Sequence, residues 1–202
     1  MMKKKAKGTY GYINYEKKKR ILMTIGLFAI PILIFVTGYL QTGTRKNLFT
    51  FVAIMGCLPA SKCAVSMIVM CMQKPMKPEL YELFSEHVRD LTALYETTVS
   101  SEKKNYPLPC VVICGQNVVC YSEDAKVDKE FVQQHIKKIL QGNGYRSNVK
   151  IFTEQKAFLR RVDELYANRE ELEASTPFKP DERYPDATRD ELVKHVFLCI
   201  CL

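Results

Sequence analysis

Two apolar stretches, Ile21 to Leu40 and Leu48 to Met72, stand almost back to back behind a strongly basic start. The first has 20 residues. At about 1.5 Å of rise each, they match a hydrocarbon core of roughly 30 Å. The second has 25 residues and is long enough to cross with tilt. Only Gln41 to Asn47 separates them, which leaves room for a turn between antiparallel helices. Pro31 lies inside the first stretch, where membrane helices tolerate proline better than soluble ones. Tyr10, Tyr12 and Tyr15 precede it and Tyr39 closes it, in keeping with the aromatic preference for interfaces. A cleaved signal peptide ending near Val36-Thr37-Gly38 is the rival reading, but its basic region would be long and a second span follows at once.

Charge divides along the chain. Residues 1–20 carry a net charge of +7, and residues 74–202 carry −2. The soluble part is therefore slightly acidic, without the basic footprint that nucleic acid requires, and no nucleic-acid partner is expected. The basic residues before the first span, with Lys74 and Lys77 after the second, outnumber Arg45 and Lys46 between the spans. By the positive-inside rule both termini are cytoplasmic, in a multi-pass protein of the cell membrane. Five of the eight cysteines (Cys110, Cys114, Cys120, Cys199, Cys201) fall in the soluble part, an odd number placed mostly in apolar runs. They read as reduced core residues rather than a disulfide framework.

These patterns divide the chain into a basic tail (1–20), a transmembrane hairpin (21–73, with spans 21–40 and 48–72) and a soluble α/β domain (74–202). Apolar residues at three- and four-residue intervals from Leu80 to Val99 predict an amphipathic helix over 79–101. Pro107 and Pro109 break the pattern, and Cys110 to Cys114 and Val118 to Tyr121 form a β-hairpin around Gly115-Gln116-Asn117. Helical spacing returns over 128–140, with His135 on its apolar face; 149–152 is a strand, and Thr153 can cap a helix over 154–170. Residues 174–189, with Pro177, Pro180 and Pro185, read as an extended loop. The last run, 192–202, starts helical and ends as a buried strand in which Cys199 and Cys201 share a face. The expected fold is a small α/β sandwich in the order α-β-β-α-β-α, with three or four strands.

Lys62 is the residue that chemistry would not place in the second span by default. An intramembrane lysine costs roughly 2.5–3.5 kcal/mol on insertion scales, so it marks a functional hypothesis. Counted to Gln73, about 16 Å of helix separates it from the inner end, beyond the reach of its side chain. Several readings are open. The helix breaks around Gly56 to Ser61, where carbonyls freed by Pro59 accept from the ammonium. The lysine pairs with an acid on a second membrane protein, or with an anionic lipid head group. It is carried as the neutral amine. Or it serves a transport or ligand role. Small residues near it (Gly56, Ala60, Ser61, Ala64, Ser66) allow close helix approach, first of all within the hairpin itself and otherwise to a second copy or another membrane protein. Lys17, Lys18, Lys19 and Arg20 suit contact with anionic lipid as well as a topology signal. Lys62 and Ser61, with Lys17 to Arg20, are the candidate binding residues.

Candidates for catalysis are weak. Glu123, Asp124 and Lys126 after the β-hairpin are similar to the acid-x-Lys of the metal-dependent restriction-nuclease-like fold, but residues 110–121 supply no second acid to hold a metal. His195, Cys199 and Cys201 lack a converging partner pair for zinc. No cofactor and no catalytic residue is expected. The stretches Gly8 to Arg20 and Gly56 to Ser66, with the join Val149 to Thr153, resemble small two-span membrane proteins of anaerobic Gram-positive bacteria. That resemblance implies a location and a layout and carries over no site residues. The expected function is an assembly, scaffold or regulatory subunit of the membrane. A membrane-anchored, metal-dependent hydrolase with a degenerate site is the alternative.

Overall fold

The computed structural model describes residues 5–44, 47–101, 104–176, 178 and 187–202. The proline-rich segment expected as a loop (174–189) and the Arg45-Lys46 turn lie largely outside them. The chain forms two compact units: Ile13–Lys74, and Lys5–Tyr12 with Pro75–Leu202.

The first unit is a pair of helices, α1 (Tyr12–Thr42) and α2 (Leu48–Met72), both long and apolar enough to cross a membrane. Thr24, Pro31 and Gly38 are buried at seven-residue intervals on α1, and Ala53 and Ala60 at the same interval on α2. A heptad seam of small residues lets two helices approach closely while their bulky side chains point outward. A Cβ placed on Gly38 would collide with Phe49, and one on Gly56 would lie 3.1 Å from Pro31 Cγ. Asn47 closes the turn, its amide donating to Gly38 O at 2.9 Å while its carbonyl oxygen caps Thr50 N at 2.8 Å. Both prolines stay inside continuous helix, so the break around Gly56 to Ser61, one of the readings open for Lys62, does not occur.

The second unit is a four-stranded mixed sheet in the order β1-β2-β3-β4: β1 (Thr92–Ser100), β2 (Asn105–Cys114), β3 (Asn117–Tyr121) and β4 (Asn148–Phe152). The β3–β4 pair is parallel and the others are antiparallel. Helix α4 (Lys129–Gly142) makes the crossover from β3 to β4. One face is covered by α4 and α7 (Arg189–Cys199) through Val132, Ile136, Leu140, Val193 and Phe197. The other is covered by α3 (Pro78–Val88) and α5 (Gln155–Ala167) through Phe84, Val88, Phe158, Val162 and Leu165. A short α6 (Arg169–Ala174) follows α5. This is the expected α/β class, with one strand and two breaks that the periodicity did not separate.

The predicted helix over 79–101 is two elements. It ends at Val88, where Arg89 adopts φ 50°, and Thr92–Ser100 is the edge strand β1. Thr92, Thr97, Thr98 and Val99 are β-branched, and pairing with β2 overrides the three- and four-residue spacing that Leu91, Leu94, Tyr95 and Val99 also satisfy. Pro107 and Pro109 do not end the chain's order either, because both sit inside β2. Pro107 O accepts from Ser122 Oγ at 3.5 Å, so the backbone edge of Pro107 faces the β3 side, beyond the last ladder pair Cys110–Tyr121. A missing N–H costs nothing where no partner strand runs.

Glu96, opposite Pro109, is the one position absent from an otherwise continuous β1–β2 register, and its φ is 52°. The side-chain alternation of both strands shifts there. Leu94 and Val99 point into the same core although five residues apart, as do Leu108 and Val111 three apart. The irregular pair re-aims the outer half of both strands so that Val99, Tyr106 and Leu108 stay under α4 and α7.

The basic tail is divided by the fold. Lys5–Tyr12 belongs to the α/β unit: Tyr95 N donates to Gly8 O at 2.8 Å, and the Tyr10 ring stacks on Tyr81 at 4.1 Å. The next residue of β1, the buried Glu96, accepts from Met76 N at 3.2 Å. Two consecutive residues of β1 thus hold both segments that lead out of the domain. At the far end of the strand, Cys201 bridges to Val99. The closing strand expected at the carboxyl terminus is only that single bridge. Cys199 ends α7 and is exposed, whereas Cys201 is buried, so the shared face expected for the two cysteines is not formed.

Candidate functional site

The residues that the sequence marks as a binding surface, Lys62, Ser61 and Lys17 to Arg20, all belong to the helical hairpin. Four positions after the start of α1, Glu16 is buried, and it accepts from Arg20 Nε at 3.1 Å while Lys19 Nζ lies 3.5 Å away. This three- and four-residue spacing is the one at which opposite charges meet on a helix. Arg20 then extends across to α2, donating from Nη1 to Ser66 Oγ at 2.7 Å and to Ser66 O at 3.2 Å. Lys17 Nζ donates to Gln73 O at 2.5 Å, at the carboxyl end of α2, where the helix dipole favours a cation. Lys18 is exposed and has no ion pair among the described residues. Four successive basic residues therefore divide their work: two are joined to Glu16, two reach α2, and one faces outward. Arg20 belongs to both of the first two groups.

The contacts Gly38–Phe49, Pro31–Gly56 and Arg20–Ser66 share one antiparallel register. Ile21 to Leu40 consequently lies beside Asn47 and residues 48–66 of α2, and Met67 to Met72 run beside the basic turn of α1. The register also sets how far Lys62 stands from the charges of α1. Measured to Gln73 it lies about 16 Å from the end, but the charged level begins at Ser66, one turn or about 6 Å away. Ala60 is fully buried against α1, while Lys62 is exposed on the opposite side of α2. Its ammonium has no polar partner among the described residues, and no freed carbonyl serves it. Ser61 does not join it: its hydroxyl turns back to Cys57 O at 2.5 Å. Of the small residues, Gly56 and Ala60 form the contact within the hairpin, as the simpler reading had it, while Ser61 and Ser66 are exposed. Glu16 and Ser66 complete the collar; the sequence singled out Ser66 only as a small residue for helix approach, and Glu16 not at all. The Glu16–Arg20 spacing was the available signal; the bond to Ser66 needed the fold.

The alternative acid-x-Lys segment is a turn. Asp124 Oδ1 accepts from Lys126 N at 2.9 Å, Lys104 Nζ lies 3.7 Å from Asp124 Oδ2, and Glu123 and Lys126 are exposed. His135 is half-buried rather than in the core, its Nε2 3.3 Å from Ser100 O. His87, half-exposed, places Nδ1 2.9 Å from both Asp163 oxygens. No group of three or more His, Cys, Asp or Glu side chains suited to a metal occurs among the described residues.

Two largely buried charges of the domain clamp the β2–β3 turn. Arg189 donates to Gly115 O, and to Arg146 O at 2.8 Å, while Asp190 Oδ2 accepts from Gly115 N at 3.1 Å. Burial pushes the Asp190 carboxyl above the usual range, although the Gly115 N–H and Arg189 hold it down. Burial, with Asp190 nearby, also pushes the Cys114 thiol up to about 11, so it is a poor nucleophile. Because the folded carboxyl keeps its proton to a higher pH than the unfolded one, its contribution to stability is full in acid and is lost as pH rises through the folded value. Asp190→Asn, which keeps an oxygen for Gly115 N–H, is expected to raise the domain's melting temperature at neutral pH. It should give no gain below about pH 4, the ordinary carboxyl range. Equal effects at both pH values in thermal melts would refute this.

Comparison with protein-family models, with curated proteins and with solved structures finds no match to this chain.

Proposed function

We propose that this chain is an integral protein of the cell membrane, crossing twice with both termini in the cytoplasm, whose α/β domain serves assembly or regulation there. The observation that carries this reading is the outer surface of the hairpin. Leu22, Leu33, Leu40, Leu48, Phe51 and Leu58 are each more than 60% exposed, on two helices of spanning length. Water disfavours an apolar surface of that extent, and lipid accepts it. Lys17 to Arg20 at one end of the hairpin support the cytoplasmic placement of that end. For the domain, the support is its own chemistry: the Cys114 thiol is held protonated by burial and Asp124 is spent on a turn.

Two measurements test the placement. Alkaline extraction should leave the protein with the membrane pellet, and release into the supernatant would refute insertion. A reporter fused after Leu202 should be active in its cytoplasmic form only; activity outside the cell would refute the orientation.

A further inference from the structure

We propose that Lys62, Arg20 and Ser66 form a site for the phosphate of an anionic phospholipid in the leaflet that holds the amino-terminal end of α1. The inference rests on the membrane reading above and specifies what the hairpin binds. Four successive charges, Lys17 to Arg20, cannot all lie in hydrocarbon, so the polar interface reaches at least to Arg20. The bond from Arg20 to Ser66 carries that level across to α2. Lys62 is one turn deeper, about 6 Å, which is the reach of an extended lysine stem. Its ammonium therefore rises to the glycerol–phosphate level from the lipid-facing side of α2, opposite the buried Ala60.

An anion is required there. Neither apolar stretch contains a carboxylate, and Glu16, the nearest one in the hairpin, is buried and already joined to Arg20 and Lys19. The collar of Lys17, Lys18, Lys19, Arg20 and Lys62 keeps an excess of positive charge after Glu16 is counted. Arg20 reaches Ser66 with one amino group, and the Ser66 hydroxyl, which accepts from it, still has its own proton to donate. A phosphate beside Ser66 would receive that proton, the Lys62 ammonium and an N–H of the Arg20 fork together. An acidic residue on a second membrane protein could meet the same charge, but the shallow level of Lys62 places it where head groups already supply the anion.

The test is reconstitution of the full-length protein into vesicles of phosphatidylcholine and phosphatidylglycerol. The lipid retained after mild-detergent extraction is then weighed by mass spectrometry. Phosphatidylglycerol should be enriched over its bulk share, and Lys62→Gln should cut the enrichment by about twofold or more while Lys62→Arg retains it. Lys138→Gln, on the exposed side of α4, should change nothing. Enrichment equal in wild type and Lys62→Gln would overturn the site, as would a copurifying membrane protein lost from that variant. Displacement of the lipid by millimolar inorganic phosphate would mean that a soluble phosphate is the ligand, overturning the lipid assignment. Failure to incorporate into vesicles at all would refute the membrane reading instead, which keeps the two claims separable.

Discussion

Phe158→Ala is expected to lower the stability of the α/β domain by about 3–5 kcal/mol, the range for removing a buried phenylalanine. Phe158 is fully buried at the centre of the core that joins α3, α5 and the sheet. Its ring lies 5.0 Å from that of Phe84 and 5.5 Å from that of Tyr121, and the Phe84–Tyr121 pair is edge-to-face at 5.1 Å. The substitution removes apolar area and also the geometry-dependent attraction of three rings. A domain of this size has only about 5–15 kcal/mol in hand, so the loss is a large fraction of the total. The protein has no tryptophan and 11 tyrosines, so denaturant unfolding of the full chain in detergent can be followed by tyrosine fluorescence. Phe158→Leu, which keeps most of the volume, should cost far less, under about 2 kcal/mol. A loss under about 1 kcal/mol for the alanine variant would mean that α5 does not hold this position.

Gly115→Val is expected to destabilise the same domain by about 3 kcal/mol or more, through backbone rather than volume. Gly115 sits in the two-residue turn between β2 and β3 with φ 55°, a region that β-branched residues strongly avoid. A Cβ there would lie 2.8 Å from the carbonyl oxygen of Leu172, a backbone atom of α6 that cannot swing aside as a side chain could. The same glycine receives Arg189 on its carbonyl and gives its N–H to Asp190. Displacing the turn would therefore loosen α6 and α7 together. Hydrogen exchange should show faster exchange in α7 of the variant as well as in the turn itself. Exchange confined to residues 113–118 would show that the clamp is not shared.

Much of this molecule is legible in its sequence because local signals there agree with the fold. The span 48–72 matches α2 at both ends, and Cys110 to Cys114 and Val118 to Tyr121 are the paired arms of the β2–β3 hairpin. Helix α4 follows from the spacing of Val132, Ile136 and Leu140 and from Asp128, whose carboxylate caps Phe131 N. Where local signals were ambiguous, the pattern misled. Leu91, Leu94, Tyr95 and Val99 fit a helix as well as a strand, and only the ladder to β2 decides between them. The candidate site was legible as composition, not as geometry. A basic run before a span and a lysine within one are plain in the sequence, but their distance from each other is not.

The sequence by itself determined that the chain has two apolar helices of spanning length, a basic end and a mixed α/β domain, because apolar run length, charge placement and periodicity are properties of neighbouring residues. Tertiary structure decided the rest. It made Thr92–Ser100 a strand, bonded Gly8 to β1 and stacked Tyr10 on Tyr81 of α3, and left Cys199 exposed beside a buried Cys201. It also set the register of α1 against α2, through Gly38, Pro31, Gly56 and the Arg20–Ser66 bond. That register brings Lys62 within one turn of the charged level. Register depends on how side chains from distant parts of the chain interlock, and no local pattern records it.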